Sequence, residues 1–168
     1  PCCNGAMHTV YIGTAGWSLS SAAASHFPLD GSHLQRYSRV LPCVEINSSF
    51  YRPHQPATYA RWAASVPEHF RFSVKLPRSI THERHLRNCA AELERFAGEV
   101  MQLGNKLGCV LVQLPPSLRF EADVASAFFH ALRQRFDGML ACEARHPSWF
   151  KADATELLTK QAITRVRA

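Results

Sequence analysis

Two glutamates, a lysine and two side-chain amides recur at equivalent places along this 168-residue chain. They are Glu45 and Asn47 in CVEIN, Lys75 in RFSVKLP, Gln113 in CVLVQLPP and Glu143 in LACEARHP. Each stands at the end of a short apolar run and is followed by residues that leave regular structure. Strand side chains alternate between faces, so Val44 and Ile46 share one face while Glu45 and Asn47 share the other. A carboxylate buried without a partner is costly, so the polar face must look into a space that water or a ligand reaches. Glu45 and Glu143 there form a carboxylate pair for acid–base work, with Lys75 as electrostatic partner. The same residue types also fit a plainer arrangement, in which Lys75 neutralises Glu45 across adjacent strands.

The segments that leave these runs carry cations and rings. Arg52, Arg78 and Arg145 suit a cationic ring that grips phosphate or carboxylate through paired hydrogen bonds. Trp17, Phe50, Tyr51 and Trp149 offer stacking faces such as single-stranded nucleic-acid sites use, although rim packing is a competing use of the same rings. His82 and His146, with Glu45 and Glu143, have the residue types of a metal site. Yet no H-x-H, H-E-x-x-H or aspartate cluster accompanies them, so no metal ligand is assigned, and local hydrogen bonding is the ordinary role for loop histidines. Ser48, Ser49 and Ser117 lack a G-x-S-x-G elbow, which leaves serine nucleophile chemistry unsupported. G-T-A-G-W at 13–17 is not the dinucleotide-binding fingerprint. The sequence names no cofactor and sets no oligomeric state.

Periodicity predicts the elements that position these residues. Strands are expected at 10–14, from Cys43, and at 70–76, 109–114, 139–144 and 163–166. Helices are expected at 32–40, 57–65, 86–107 and 122–136, with a short one capped by Asp153 and ending near Lys160. The run at 109–114 is apolar on both faces, which marks a parallel strand covered by helices. Strict alternation of strand and helix implies an α/β fold with a parallel sheet, either a barrel or a doubly wound sheet. The polar residues decide between them. A barrel directs Asn47, Lys75, Gln113 and Glu143 into its lumen at the catalytic mouth, whereas an open sheet buries them beneath helices. The expected fold is thus an α/β, TIM-type barrel, incomplete, with about five to six of the eight strands that architecture requires. Residues 1–8 read as a tail in which Met7 is either a first or an internal residue, and 9–168 as a partial barrel domain in an amino-terminal fragment.

The net charge is +6, carried by fifteen arginines against four lysines. Such a balance favours an anionic partner, whether a small molecule or nucleic acid. No basic run concentrates it, so dispersal over solvated helices accounts for it equally. None of the six cysteines forms a C-x-x-C pair, and Cys43, Cys109 and Cys142 lie in apolar runs where a thiol acts as a small hydrophobe. A reduced, cytoplasmic setting is expected. No apolar run approaches the roughly eighteen residues that span a bilayer, so no membrane partner is expected.

Five segments stand in order from about Val10 onward: Y-I-G-T-A-G-W, V-E-I-N-S-S-F-Y-R, F-S-V-K-L-P-R-S-I-T-H, K-L-G-C-V-L-V-Q-L-P-P-S and E-A-R-H-P-S-W. In these the chain resembles the YecE-like family, or domain of unknown function 72. The resemblance implies a TIM-type barrel of bacterial and archaeal proteins, longer than this chain by several strands. It also implies a mouth built from Trp17 after the first strand and Glu45, Asn47, Phe50, Tyr51 and Arg52 after the second. Lys75, Arg78 and His82 follow the third, Gln113, Pro115 and Ser117 the fourth, and Glu143, Arg145, His146 and Trp149 the fifth. Leu19 departs from the family, which carries an aromatic there. The functional expectation is an enzyme-type anion-binding site with Glu45, Lys75 and Glu143 as catalytic candidates and the other mouth residues, apart from Pro115 and Ser117, binding substrate. The alternatives are a non-catalytic nucleic-acid-binding protein and a metal-dependent phosphoesterase or endonuclease-like barrel.

Overall fold

The computed structural model describes residues 10–167; the expected tail at 1–8 lies outside the described residues. Six strands run parallel and side by side in chain order: β1 (Gly13–Ala15), β2 (Cys43–Ile46), β3 (Arg71–Lys75), β4 (Leu107–Gln113), β5 (Met139–Glu143) and β6 (Ile163–Arg165). Each parallel neighbour needs a crossover, supplied by α1 (His33–Ser38), α2 (Pro56–Ala64), α3 (Ala90–Val100), α4 (Ala122–Arg133) and α5 (Ala152–Lys160). Crossovers of one hand along a sheet whose order never reverses place every helix on the same face. The wall is barrel-like and open, because among the described residues β1 and β6 each have a single neighbour.

Register shows which face the helices cover. Val44 stands beside Phe72, Ile46 beside Val74, Val74 beside Val110, and Val110 beside Leu140. Val44, Ile46, Phe72, Val74, Val110, Val112 and Leu140 are each no more than 1% exposed. They form one core with Leu34 of α1, Leu93 and Phe96 of α3, Phe128 and Phe129 of α4 and Leu158 of α5. Burial of each such side chain contributes about 1.5–3 kcal/mol. A one-residue slip would turn the whole set to solvent, so the register is firmly held. Gly13 lets β1 approach β2 closely, since a Cβ there would lie 2.1 Å from the Cys43 carbonyl oxygen.

Side chains also fasten the helices to the wall. Ser32 and Gln35 form a capping box at the start of α1. The Tyr37 hydroxyl accepts from the Thr14 amide at 2.9 Å and donates to the Cys43 carbonyl at 3.0 Å, which ties α1 to β1 and β2. Buried Lys106 donates to the carbonyls of Ala63 and Val66, both at 2.8 Å, and so closes the end of α2.

Three expectations need correction. The helix expected over 86–107 spans only Ala90–Val100; His85, Leu86 and Asn88 have positive φ angles, and Leu86 is buried as a loop residue. Its apolar side chain matches the helical spacing without joining the helix. Leu107 begins β4, after Gly104 at φ 58° breaks the preceding turn. Asp153 sits in the first turn of α5, while Lys151 occupies the cap position without a side-chain cap bond. Replacing Lys106 by methionine keeps the aliphatic bulk and orphans two carbonyls. The change is expected to lower unfolding free energy by about 1.5–3 kcal/mol, read from urea denaturation, and an unchanged midpoint would show that the ammonium holds nothing.

Candidate functional site

In a parallel sheet all carboxyl ends lie on one side, so the residues at β2 to β5 gather at one rim. Glu45 stands beside Ser73, Lys75 beside Leu111, and Gln113 beside Glu143. All are on the face away from the helices, and Glu45, Lys75, Gln113 and Glu143 are half-buried.

The two glutamates have unlike surroundings. Gln113 Nε2 lies 3.0 Å from both Glu143 oxygens, and Arg145 donates to Glu143 Oε1 from Nε at 3.1 Å and Nη2 at 2.8 Å. The Glu143 side chain is therefore held in place by both neighbours. The Glu45 carboxyl receives no hydrogen bond from the described residues. Burial pushes its carboxyl above the ordinary carboxylate range, Lys75 draws it part of the way back, and Glu143 pushes it up again. The expected contact pair between Lys75 and Glu45 does not form among the described residues. Instead, Lys75 Nζ stands 4.6 Å from the centroid of the Phe50 ring, a cation–π contact.

The loop after β2 makes that contact possible. The buried Ser49 hydroxyl reaches the carbonyl oxygens of Ile46 at 2.8 Å and Lys75 at 2.6 Å, which fastens the loop to the end of β3. Phe50 is thereby seated edge-on to His82, with ring centroids 5.0 Å apart. The neighbouring Asn47 Oδ1 is buried without a partner among the described residues. His82 Nδ1 lies 2.8 Å from the Thr81 hydroxyl. Its imidazole is held below its ordinary value, first by burial and then by the charges of Arg78, Lys75, Arg145 and His85. A positive field thus converges on the rim beside Phe50.

Other expected site residues fall elsewhere. Trp149 is 1% exposed, donates from Nε1 to the Leu118 carbonyl at 2.9 Å and packs on Phe120 and Phe129, so it has no free stacking face. Trp17 packs edge-on against Trp62 of α2 at 5.1 Å. His146 Nδ1 accepts from the Ser148 amide at 3.1 Å and caps the turn over Pro147–Phe150, the local role. Pro115 is buried and Ser117 exposed, and neither has a side-chain hydrogen bond among the described residues. Tyr51 is 68% exposed beside Phe50.

The ring expected from Arg52, Arg78 and Arg145 divides in two. Arg52 and Arg78 line a cleft of about 300 Å³ together with Arg95 of α3. Arg145 lines a separate hollow of about 660 Å³ with Glu143, Phe150 and Arg165. The chain turns after β3 at Pro77–Ile80, and Arg78 lines the cleft against α3 instead of the hollow of Arg145. Ser73, Cys109 and Ser49 were not expected in the site, although the first two continue the alternation that holds Lys75 and Gln113. The Cys109 thiol is pushed up to about 11, chiefly by burial, so it stands beside Ser73, one strand further from Glu45, as a neutral group. Among the described residues no three His, Cys, Asp or Glu side chains gather as a metal ion requires, and no helix is long and apolar enough to cross a membrane.

Comparison with known proteins bears on the fold and kinship. The family described as protein of unknown function DUF72 matches residues 11–168. The UPF0759 protein YecE of Escherichia coli is 30% identical over 142 residues, 84% of this chain and 50% of the relative. The UPF0759 protein YunF of Bacillus subtilis is 30% identical over 147 residues, 84% of this chain and 52% of the relative. The chain spans about half the length of these curated relatives. A crystal structure of a DUF72 family protein from Thermotoga maritima superposes with a TM-score of 0.75 at 27% identity, over 94% of this chain and 64% of the other. One from Enterococcus faecalis gives 0.77 at 21% identity, over 94% and 60%.

The burial contrast between two aromatic residues is open to measurement. Trp149→Ala is expected to cost about 3–5 kcal/mol of stability by denaturant unfolding, and Tyr51→Ala to stay within about 0.5 kcal/mol of the parent. Equal costs would mean that the rim and the core have been misassigned.

Proposed function

The chain belongs to the family described as protein of unknown function DUF72, and from that premise we propose an enzyme-type site at its strand-end mouth, which binds an anionic ligand and transfers a proton through Glu45. The observation that carries this is the state of Glu45: a half-buried carboxyl without a hydrogen bond among the described residues, raised by burial and facing the same concave space as Lys75. A carboxyl moved toward neutrality can both take and return a proton in a working pH range, as a general acid or base must. Lys75 stabilises negative charge that develops beside it, and its seat over Phe50 leaves it free of a carboxylate contact among the described residues. Glu143, gripped by Gln113 and Arg145, keeps both donors oriented toward the rim.

The positive field at His82 supports an anion as the ligand. A small carboxylate or phosphate monoester is the ligand proposed for the rim beside Lys75 and His82. The nucleic-acid alternative rests on the arginine excess and on stacking faces, and of the four rings only Tyr51 is largely exposed. The phosphoesterase alternative has no metal-ligand set among the described residues.

Two measurements test the proposal. Folded Glu45 keeps its proton to higher pH than the unfolded chain does, so its contribution to stability is present at low pH and is lost as pH rises through the folded value. Glu45→Gln is accordingly expected to melt at or above the parent temperature at about pH 7, while removing any proton transfer; clear destabilisation would make Glu45 structural. The His82 imidazole, followed by proton NMR, is expected to titrate below its ordinary value and to rise by about one unit when inorganic phosphate binds beside it. In Lys75→Met the unliganded value rises and the phosphate response shrinks. A titration indifferent to phosphate in the parent protein would defeat the anion site.

A further inference from the structure

The cleft that holds Arg52 and Arg78 lies outside the mouth, between the loops after β2 and β3 and the outer helix α3. Its apolar wall is built from Phe50 and Phe96, and from α3 it also receives Glu99. Glu99 is only 9% exposed, and its carboxylate receives no hydrogen bond from the described residues. Its nearest cation is Arg95, whose Nε stands 3.7 Å from Oε1 on a side chain that is 56% exposed. That is too long for a hydrogen bond, and solvent weakens the attraction. Close by, the Tyr59 hydroxyl is wholly buried without a partner among the described residues and feels the Glu99 charge. A carboxylate so enclosed lacks the donor that ordinarily offsets its desolvation.

The rest of the lining is of the opposite sign. Arg52 makes no ion pair among the described residues, while Arg78 meets only Glu83, at 3.1 Å and with both side chains more than half exposed. With Arg95 these are three cations against the two carboxylates of Glu83 and Glu99. A simple amine entering toward Glu99 would pass the arginines unfavourably, and a simple anion would leave Glu99 unserved. We infer that this cleft is a second binding site, for a small zwitterion whose ammonium group donates to Glu99 and whose anionic end meets Arg52 and Arg78. A volume of about 300 Å³ suits a ligand of amino-acid size. The site is independent of the proton-transfer proposal, since Glu45 and Lys75 do not line it.

The test uses the full chain and amide proton–nitrogen NMR titrations with unbranched amino acids from glycine to aminohexanoate. Butylamine and butyrate serve as the two half-ligands. At least one zwitterion is expected to shift resonances of α3 and both loops with affinity about tenfold above either half. Glu99→Gln, which keeps the shape, brings that zwitterion down to the butyrate level. Arg52→Ala, an exposed change that leaves folding intact, brings it down to the butylamine level. If no zwitterion exceeds its halves, or if Glu99→Gln binds as the parent does, the inference is overturned. Butyrate binding as tightly as every zwitterion also overturns it, by showing a site for anions alone.

Discussion

The apolar layer from Val44 and Ile46 through Phe72, Val74 and Val110 to Leu140 is the constraint from which the other features follow. Those side chains reach the helices only in one register, and a strand has just two faces. Once they are buried, Glu45, Ser73, Lys75, Cys109, Gln113 and Glu143 must all look the other way. The concave polar surface is thus a consequence of core formation. Its exposure to ligand comes from the side of the sheet without helices, and its clustering comes from strands that all end in one direction.

Within that surface, identical side chains acquire different chemistry from their neighbours. Glu143 lies between an amide and a guanidinium and is fixed in position by both. Glu45, three strands away, has a carboxyl buried without hydrogen bonds from the described residues, and that carboxyl is raised. Proton transfer favours the second environment and anchoring the first. The loop after β2 contributes through Ser49, whose hydroxyl bridges two strand ends and so seats Phe50 beneath Lys75 and against His82. A small polar residue with no catalytic part to play thereby sets where the cation stands.

The basic excess is likewise divided by structure. Charge counting treats fifteen arginines as one field, whereas folding separates Arg145 from Arg52 and Arg78 and pairs several others across the helices. Arg145 belongs with Glu143 at the rim. Arg52 and Arg78 belong with Glu99 in a cleft whose carboxylate lacks a donor. These are different electrostatic problems, and they admit different ligands.

Strand order, parallel direction and the shared face of Glu45, Lys75, Gln113 and Glu143 were legible in the sequence alone, because alternation and strand–helix succession are local properties with a period that can be read along the chain. Asn47, expected on that face at the end of β2, instead leaves the strand with helical backbone angles at the start of the following turn. Helix ends near Leu86 and Leu107 were not legible, because an apolar side chain satisfies helical spacing equally well from a buried loop or a strand. Nor was the fate of the rings and cations. Trp149 in the core, Trp17 against Trp62, Lys75 over Phe50 and the division of the arginines each depend on which loop packs beside which. Those meetings join residues far apart in the chain, and only the tertiary structure decides them, since burial and electrostatic environment belong to neighbours in space.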